Sequence, residues 1–205
     1  MAADHSTVVA RRLRDEELPA AVAVLARGMR DNPGHVAAFG DDPERRRRSL
    51  QRMFFALFRV MRTHERICAV EGDTITGVAA IAAPGTCRPT AWQKTQMASL
   101  LAGRGARRLT RVLAWQRVWR AHDPDQPHSH FGPLAVDAHV QGRGIGSRLM
   151  REYTRRLDAA GQLGYLETDK PENVVFYQRH GFVVTGEAPV LGNPNWFMHR
   201  EPRHP

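Results

Sequence analysis

The residues best placed to do chemistry lie between positions 128 and 181. Gln141-Gly142-Arg143-Gly144-Ile145-Gly146 joins HSHFGPLAV, which reads as a strand, to SRLMREYTRRLDAAG, which reads as a helix. In such a turn successive backbone N–H groups face one concavity, and the helix dipole adds partial positive charge. The chemistry implied is the holding of a phosphate, with Arg143 and Arg148 nearby to neutralise it. Two common phosphate ligands fit poorly. A dinucleotide fingerprint needs G-x-G-x-x-G, but here the third glycine comes one residue early and Ser147 occupies its place. The only acidic residue at the ribose distance is Glu167. A nucleoside triphosphate loop needs G-K-[ST], which is absent.

Two further groups could move protons. Glu167 ends the segment LGYLET, at the mouth of a strand where ligands gather in open α/β sheets. It is either a general base or a carboxylate paired with one of many arginines. His128 and His130 alternate on the strand entering the glycine turn. An H-x-H pair can bind metal, but no third or fourth ligand is suggested by the sequence, so no metal is assigned.

These residues need a scaffold. From His128 the order reads strand, turn, helix, strand, helix, strand, strand, with a parallel unit at its heart. LGYLET is a strand, PENVVFYQRHG a short helix ended by Gly181, and FVVTGEA and NWFMHRE are the last strands. Upstream, Thr7–Leu13 alternates as a strand and Asp15 caps a helix running to about Ala26. A Gly/Pro/Asn/Asp-rich loop from Gly28 to Asp42 follows, and Pro43 opens a helix with an apolar stripe of Leu50, Phe54, Leu57, Phe58 and Met61. RICAVEG and TITGVAAIA, separated at Gly72-Asp73, read as a hairpin. Residues 90–122 read as helical, broken at Gly103 and Gly105, with Leu109, Val112, Leu113, Trp115 and Trp119 on an apolar side. Arg107, Arg108, Arg111 and Arg117 form a basic side. Antiparallel strands ahead of a parallel βαβ unit predict an α/β chain of the α+β type. It is one mixed, mostly antiparallel sheet of about seven strands with helices on both faces. No linker stands out, so 1–205 reads as a single domain, with 90–122 a helical elaboration and 128–200 the core.

The run also fits Q/R-x-x-G-x-G/A, and here the sequence resembles the GNAT acetyltransferase superfamily, most of all the members related to puromycin N-acetyltransferase. The resemblance is carried by HSHFGPLAVDAHVQGRGIGSRLM and YLETDKPENVVFYQRHGF, and more loosely by DNPGHVAAFGDDPERR and PNWFMHR. It implies that the strand before the turn splays from the next parallel strand and that acetyl-CoA, the acyl donor, lies in the gap. Leu134, Ala135 and Val136 would offer backbone groups to the pantetheine. The Val136 N–H would stabilise the oxyanion, and the run Gln141 to Ser147 (including Gly142, Arg143, Gly144, Ile145 and Gly146) would wrap the pyrophosphate. Asn173 would hydrogen-bond the cofactor arm, and Tyr177 would stand near the sulfur as general acid, with Glu167 the candidate base. A thiol pKa near 8.5 and a phenol near 10 are close enough to share a proton as the C–S bond breaks. The implied reaction is direct acetyl transfer to the primary amine of a small molecule in a ternary complex. Acceptor selectivity is expected from the Gly28–Asp42 loop, with His35 and Phe39, and from the helices around Trp92, Trp115 and Trp119.

Composition narrows the alternatives. Hydrophobic residues make up 42% and charged residues 25%, the balance of a soluble globular protein. The longest apolar run, Ala20–Ala26, follows acidic Asp15-Glu16-Glu17, so neither a membrane span nor a secretory signal is expected. Two cysteines, Cys68 and Cys87, are too few for a disulfide scaffold and are expected reduced in a cytoplasmic protein, with a homodimer compatible. The net charge of +9, nearly all arginine, attracts phosphates of any kind. It keeps two rivals in view: a basic nucleic-acid-binding protein, which lacks any recognised motif, and a CoA-sensing module with the fold but no turnover.

Overall fold

A computed structural model describes residues 8–101 and 106–203. Seven strands form one sheet: β1 (Val9–Arg12), β2 (Glu65–Glu71), β3 (Thr74–Ala82), β4 (His128–Val136), β5 (Leu163–Thr168), β6 (Val183–Val190) and β7 (Asn193–Arg200). Their order is β1-β2-β3-β4-β5-β7-β6, and only β4 and β5 run parallel. The helices are α1 (Leu18–Gly28), α2 (Pro33–Phe39), α3 (Pro43–Val60), α4 (Ala91–Leu101), α5 (Ala106–His122), α6 (Ile145–Ala160) and α7 (Pro171–Gln178). This is the GNAT fold. Gly103 and Gly105, the expected breaks, lie outside the described residues. No described helix is long and apolar enough to cross a membrane.

Local chemistry explains most boundaries. Asp42 caps α3 by accepting from the N–H groups of Glu44 (3.0 Å) and Arg45 (2.9 Å), with Pro43 in the first turn. Gly144 and Gly161 bracket α6 in the left-handed region, at φ 75° and 60°. Ile145, Leu149, Met150, Tyr153 and Leu157 supply its buried stripe.

The sheet divides two cores. On one face α1 and α3 pack Leu25, Leu50, Phe54 and Phe58 against Cys68, Val78, Ala80 and Ala135. On the other, α6 and α7 pack Leu149, Tyr153 and Tyr177 against Ile67, Ala79, Phe131, Leu166 and Met198.

Three expectations differ from the structure. Asp15 does not cap α1, because it lies inside a short 3-10 turn and Glu17 precedes the helix. The Gly28–Asp42 segment is not all loop, because it contains α2. Pro33 starts that helix, and buried Arg46 ties its ends by donating to the carbonyls of Arg30 and Gly40 (both 2.6 Å) and to Asp31 (2.7 Å). In α5 the proposed apolar side is not buried as a unit: Leu109 and Leu113 are exposed, whereas Val112, Trp115 and Trp119 are half-buried and the tryptophans pack inward. Arg111, assigned to the basic side, donates to the Ala37 carbonyl at 2.9 Å. Docking on α2 and the sheet edge, not hydrophobic periodicity, orients this helix.

Candidate active site

The site begins where β4 and β5 part. Their parallel pairing runs His128↔Leu163, Ser129↔Gly164 and His130↔Tyr165, and stops there. Beyond it β5 stays paired to β7 through Leu166, Glu167 and Thr168, while β4 stays paired to β3. The register of β4 on β3 shifts between Phe131 and Leu134, which re-aims the second half of β4. Further along, the Asp137 N–H donates to the Thr76 carbonyl at 2.8 Å. Ladder alternation then turns the N–H and C=O groups of Leu134 and Val136 away from β3, toward the gap, while Ala135 pairs with Val78 and buries its methyl.

The glycine turn closes this gap at one end. Gly142 (φ 80°) and Gly144 (φ 75°) adopt the left-handed conformation that glycine alone takes cheaply, and nothing lies within 4 Å of where their Cβ atoms would be. The concavity is therefore open. The first helical hydrogen bond of α6 is Arg148 N to Gly144 O (3.1 Å), so the amides of Ile145, Gly146 and Ser147 have no helical carbonyl to meet. The Ile145 side chain is core, so only its backbone can serve the turn. Gln141 donates its side-chain amide to the Val136 carbonyl at 3.1 Å, pinning turn to strand. Arg143 is held in a two-pronged pair with Glu71 (2.6 and 3.1 Å), while Arg148 at the same turn is exposed and forms no ion pair among the described residues. Sequence spacing placed both arginines at the turn; the cross-sheet carboxylate that claims one of them was not visible in it.

On the other side of the gap stand α7 and the end of β5. Asn173 donates to Thr168 Oγ1 (3.1 Å), fastening the first turn of α7 to the strand. Tyr177 is buried beside Phe176 and Phe182. Burial, reinforced by the charges of Glu167 and Asp169, pushes its phenol well above the usual range, so it keeps its proton. Glu167 lies on the opposite face of β5, almost wholly covered, with Oε2 at 2.8 Å from His130 Nε2. Burial disfavours the His130 imidazolium, but the charge of Glu167 and the contacts with Cys87 and Glu167 outweigh it and raise the imidazole above its usual range.

Above that face α2 and α5 build an aromatic wall. Trp115 packs against His35 (5.3 Å between ring centroids) and edge-on to Trp119 (5.2 Å). Trp119 Nε1 donates to buried Asn195 at 3.3 Å, and Trp115 Nε1 is buried with no partner among the described residues. Asp169 Oδ2 accepts the Gly34 N–H at 2.7 Å, and a side chain at Gly34 would collide with Trp115 and Asp169. Trp92, also expected here, is instead exposed on α4. The site thus combines a backbone-lined gap, a largely covered carboxylate–imidazole pair and an aromatic chamber in which the Trp115 N–H meets no partner among the described residues. Sequence reasoning missed Asp169 and Asn195. Asp169, two residues after Glu167 at the same strand end, could have been found from strand position alone; Asn195 had no signal.

Residues 106–184 match the acetyltransferase (GNAT) domain family. Among solved structures the chain is similar to a protein from Corynebacterium glutamicum described as histone acetyltransferase HPA2 and related acetyltransferase. That match has 20% identity and a TM-score of 0.72, covering 97% of this chain and 98% of that one. It also resembles a polyamine N-acetyltransferase of Drosophila melanogaster that forms N-acetylagmatine, at 15% identity and a TM-score of 0.64, covering 95% and 100%. A third likeness is a GNAT acetyltransferase from Brucella melitensis in complex with acetyl-CoA, at 17% identity and a TM-score of 0.54, covering 98% and 93%. The family match spans residues 106–184, and the solved structures extend the likeness in fold over nearly the whole chain.

Proposed function

We propose that this GNAT-domain chain is an acetyl-CoA-dependent N-acetyltransferase that transfers acetyl directly to the primary amine of a small, cationic molecule. The observation that carries this reading is the parting of β4 from β5 after His130 and Tyr165, with the open glycine turn at its end. A long, thin carrier with a charged tail suits that gap. Leu134 and Val136 offer it backbone groups that β3 does not use, and the amides of Gly142 through Ser147, with Arg148, suit a pyrophosphate. When bound, acetyl-CoA supplies an activated thioester; the protein's task is orientation, charge stabilisation and proton handling.

Each task falls to a named group. The Val136 N–H is the donor for negative charge developing on the carbonyl oxygen, fixed by a strand and so costing no reorganisation. Glu167 accepts the proton of the attacking ammonium, and His130 holds its carboxylate in place. Tyr177, kept neutral by burial, is the proton donor to the departing thiolate. Asn173 positions the start of α7, and with it Tyr177.

For the acceptor, the Asp169 carboxylate stands beside the aromatic wall of His35, Trp115 and Trp119, a setting that favours a cation. The polyamine acetyltransferase among the similar structures supports the same class. The sequence resemblance to puromycin N-acetyltransferase-like members also favours a small-molecule primary amine over a protein terminus.

The test is a thermal-shift measurement with acetyl-CoA, other acyl-CoAs, NAD and ATP, followed by an amine panel read by released thiol. Acetyl-CoA should raise Tm where NAD and ATP do not, and thiol release should require an amine. No response at millimolar acetyl-CoA, about 4 kcal/mol of binding, overturns the reading. Binding without turnover on any amine would favour the sensing module.

A further inference from the structure

Behind Glu167, on the same face of the sheet, four side chains converge that the proposed reaction does not require as a set. Cys87 follows β3, Asp123 follows α5, and His128 and His130 lie on β4; each offers one ligand atom, all within 4.8 Å of one another. Cys87 Sγ lies 3.9 Å from both Asp123 Oδ2 and His128 Nε2, and His128 Nε2 lies 3.3 Å from Asp123 Oδ1. A tetrahedral zinc ion, with bonds of about 2.3 Å to sulfur and about 2.0–2.2 Å to nitrogen and oxygen, spaces its ligands by roughly 3.3–3.6 Å. The atoms of Cys87, Asp123 and His128 need to close by only a few tenths of an ångström, and the widest pair of the four, at up to 4.8 Å, by about 1.2–1.5 Å, within reach of a side-chain rotation.

The surroundings prepare these side chains as ligands. His128 Nδ1 meets the Gln126 carbonyl at 3.0 Å, which requires Nδ1–H and leaves the Nε2 lone pair facing Cys87 and Asp123. His130 Nε2 donates to Glu167, so Nδ1, once its proton is displaced by the metal, is left for a bond, the carboxylate–histidine arrangement that orients metal ligands. Arg88 Nε donates to Asp123 Oδ2 at 2.6 Å and fixes that carboxylate. A nucleophile relay would set thiol and carboxylate on different nitrogens of one imidazole. Here the single Nε2 of His128 faces both, which suits a shared ion and not a relay.

We propose that Cys87, Asp123, His128 and His130 form a structural zinc site. A thiolate, two imidazoles and one carboxylate are a zinc donor set and unsuited to magnesium or calcium, which take oxygen. Two anions balance the dication, and the Cys87 thiol proton leaves to solvent on loading, with any imidazolium protons. With four protein ligands no position stays open for water, so the ion clamps and does not catalyse. It joins the loop after β3 and the α5–β4 connection to the strand whose His130 holds Glu167.

The experiment uses the full chain, purified without a metal-chelating tag, stripped with chelator, and titrated with zinc against a chromophoric competitor. One equivalent should bind, magnesium should not compete, and the cobalt-substituted protein should show thiolate-to-metal charge transfer with tetrahedral d–d bands. Cys87→Ser should abolish the charge-transfer band. Cys87→Ser and His128→Gln should each weaken zinc by more than the about 10–100-fold that loss of an outer partner costs. A folded wild-type chain that takes up no zinc, or variants that retain it unchanged, overturns the proposal. If a variant does not fold, the wild-type cobalt spectrum decides alone. Acetyl-CoA binding is read separately by thermal shift, so either proposal can fail without the other.

Discussion

At the residue scale the chemistry rests on one protonation state set by burial and on one carboxylate base. Tyr177 keeps its proton because its phenolate would be desolvated and near two carboxylates. Glu167→Gln preserves shape and the contact with His130 but removes the base. Turnover should fall by about 10²–10⁴-fold with acetyl-CoA affinity unchanged, as read by steady-state kinetics and calorimetry. Tyr177→Phe should lower kcat more than it weakens acetyl-CoA; an unchanged kcat would remove its acid role. Asp31 offers a test by pH. Hydrogen bonds from Arg30, then from Arg46, hold its carboxyl down to about 2. A depressed folded pKa means stability that is complete above the ordinary carboxylate range and lost as pH falls toward about 2. Asp31→Asn should therefore lower the urea midpoint at pH 6, and the gap from wild type should close near pH 2.

At the element scale the turn before α6 and the brace under α2 matter most. Valine at Gly142 or Gly144 meets no neighbour, so the cost is conformational: a left-handed β-branched residue, roughly 1–2 kcal/mol. The concavity should distort as the backbone relaxes, and acetyl-CoA affinity should fall at least about tenfold by calorimetry while the far-UV spectrum is kept. Arg46→Ala should cost more stability than any exposed arginine, about 2–4 kcal/mol in urea unfolding, because the buried guanidinium satisfies two carbonyls and Asp31. Truncating it should also loosen α2, and with it Gly34 and His35 in the acceptor wall.

At the scale of the whole molecule, the excess of arginine is distributed through many local pairs. Arg11 and Arg14 share Glu17, Arg155 and Arg156 share Glu152, and Arg200 grips Asp158. What is left is a diffuse positive field that favours an anionic cofactor. Acetyl-CoA affinity should then fall only severalfold between 50 and 200 mM salt. A nucleic-acid binder making several phosphate contacts would lose roughly 10³–10⁵-fold over that range, and calorimetry at two salt concentrations separates them.

Much of the architecture is legible in the chain because it is local. Alternation marks HSHFGPLAV as β4, the periodicity of Leu149, Tyr153 and Leu157 marks α6, and glycines with unavoidable left-handed φ mark the turn between them. These follow from steric and hydrophobic rules acting within a few residues. What tertiary structure alone decided is the company each group keeps. It drew Arg143 away from the phosphate site by pairing it with Glu71, built α2 out of a glycine- and proline-rich loop, and left Leu109 and Leu113 in solvent. It also brought Cys87, 41 residues from His128 in sequence, to within 3.9 Å of it. Such meetings depend on strand order and helix docking, sums of many weak contacts between distant segments, and no spacing along the chain encodes them.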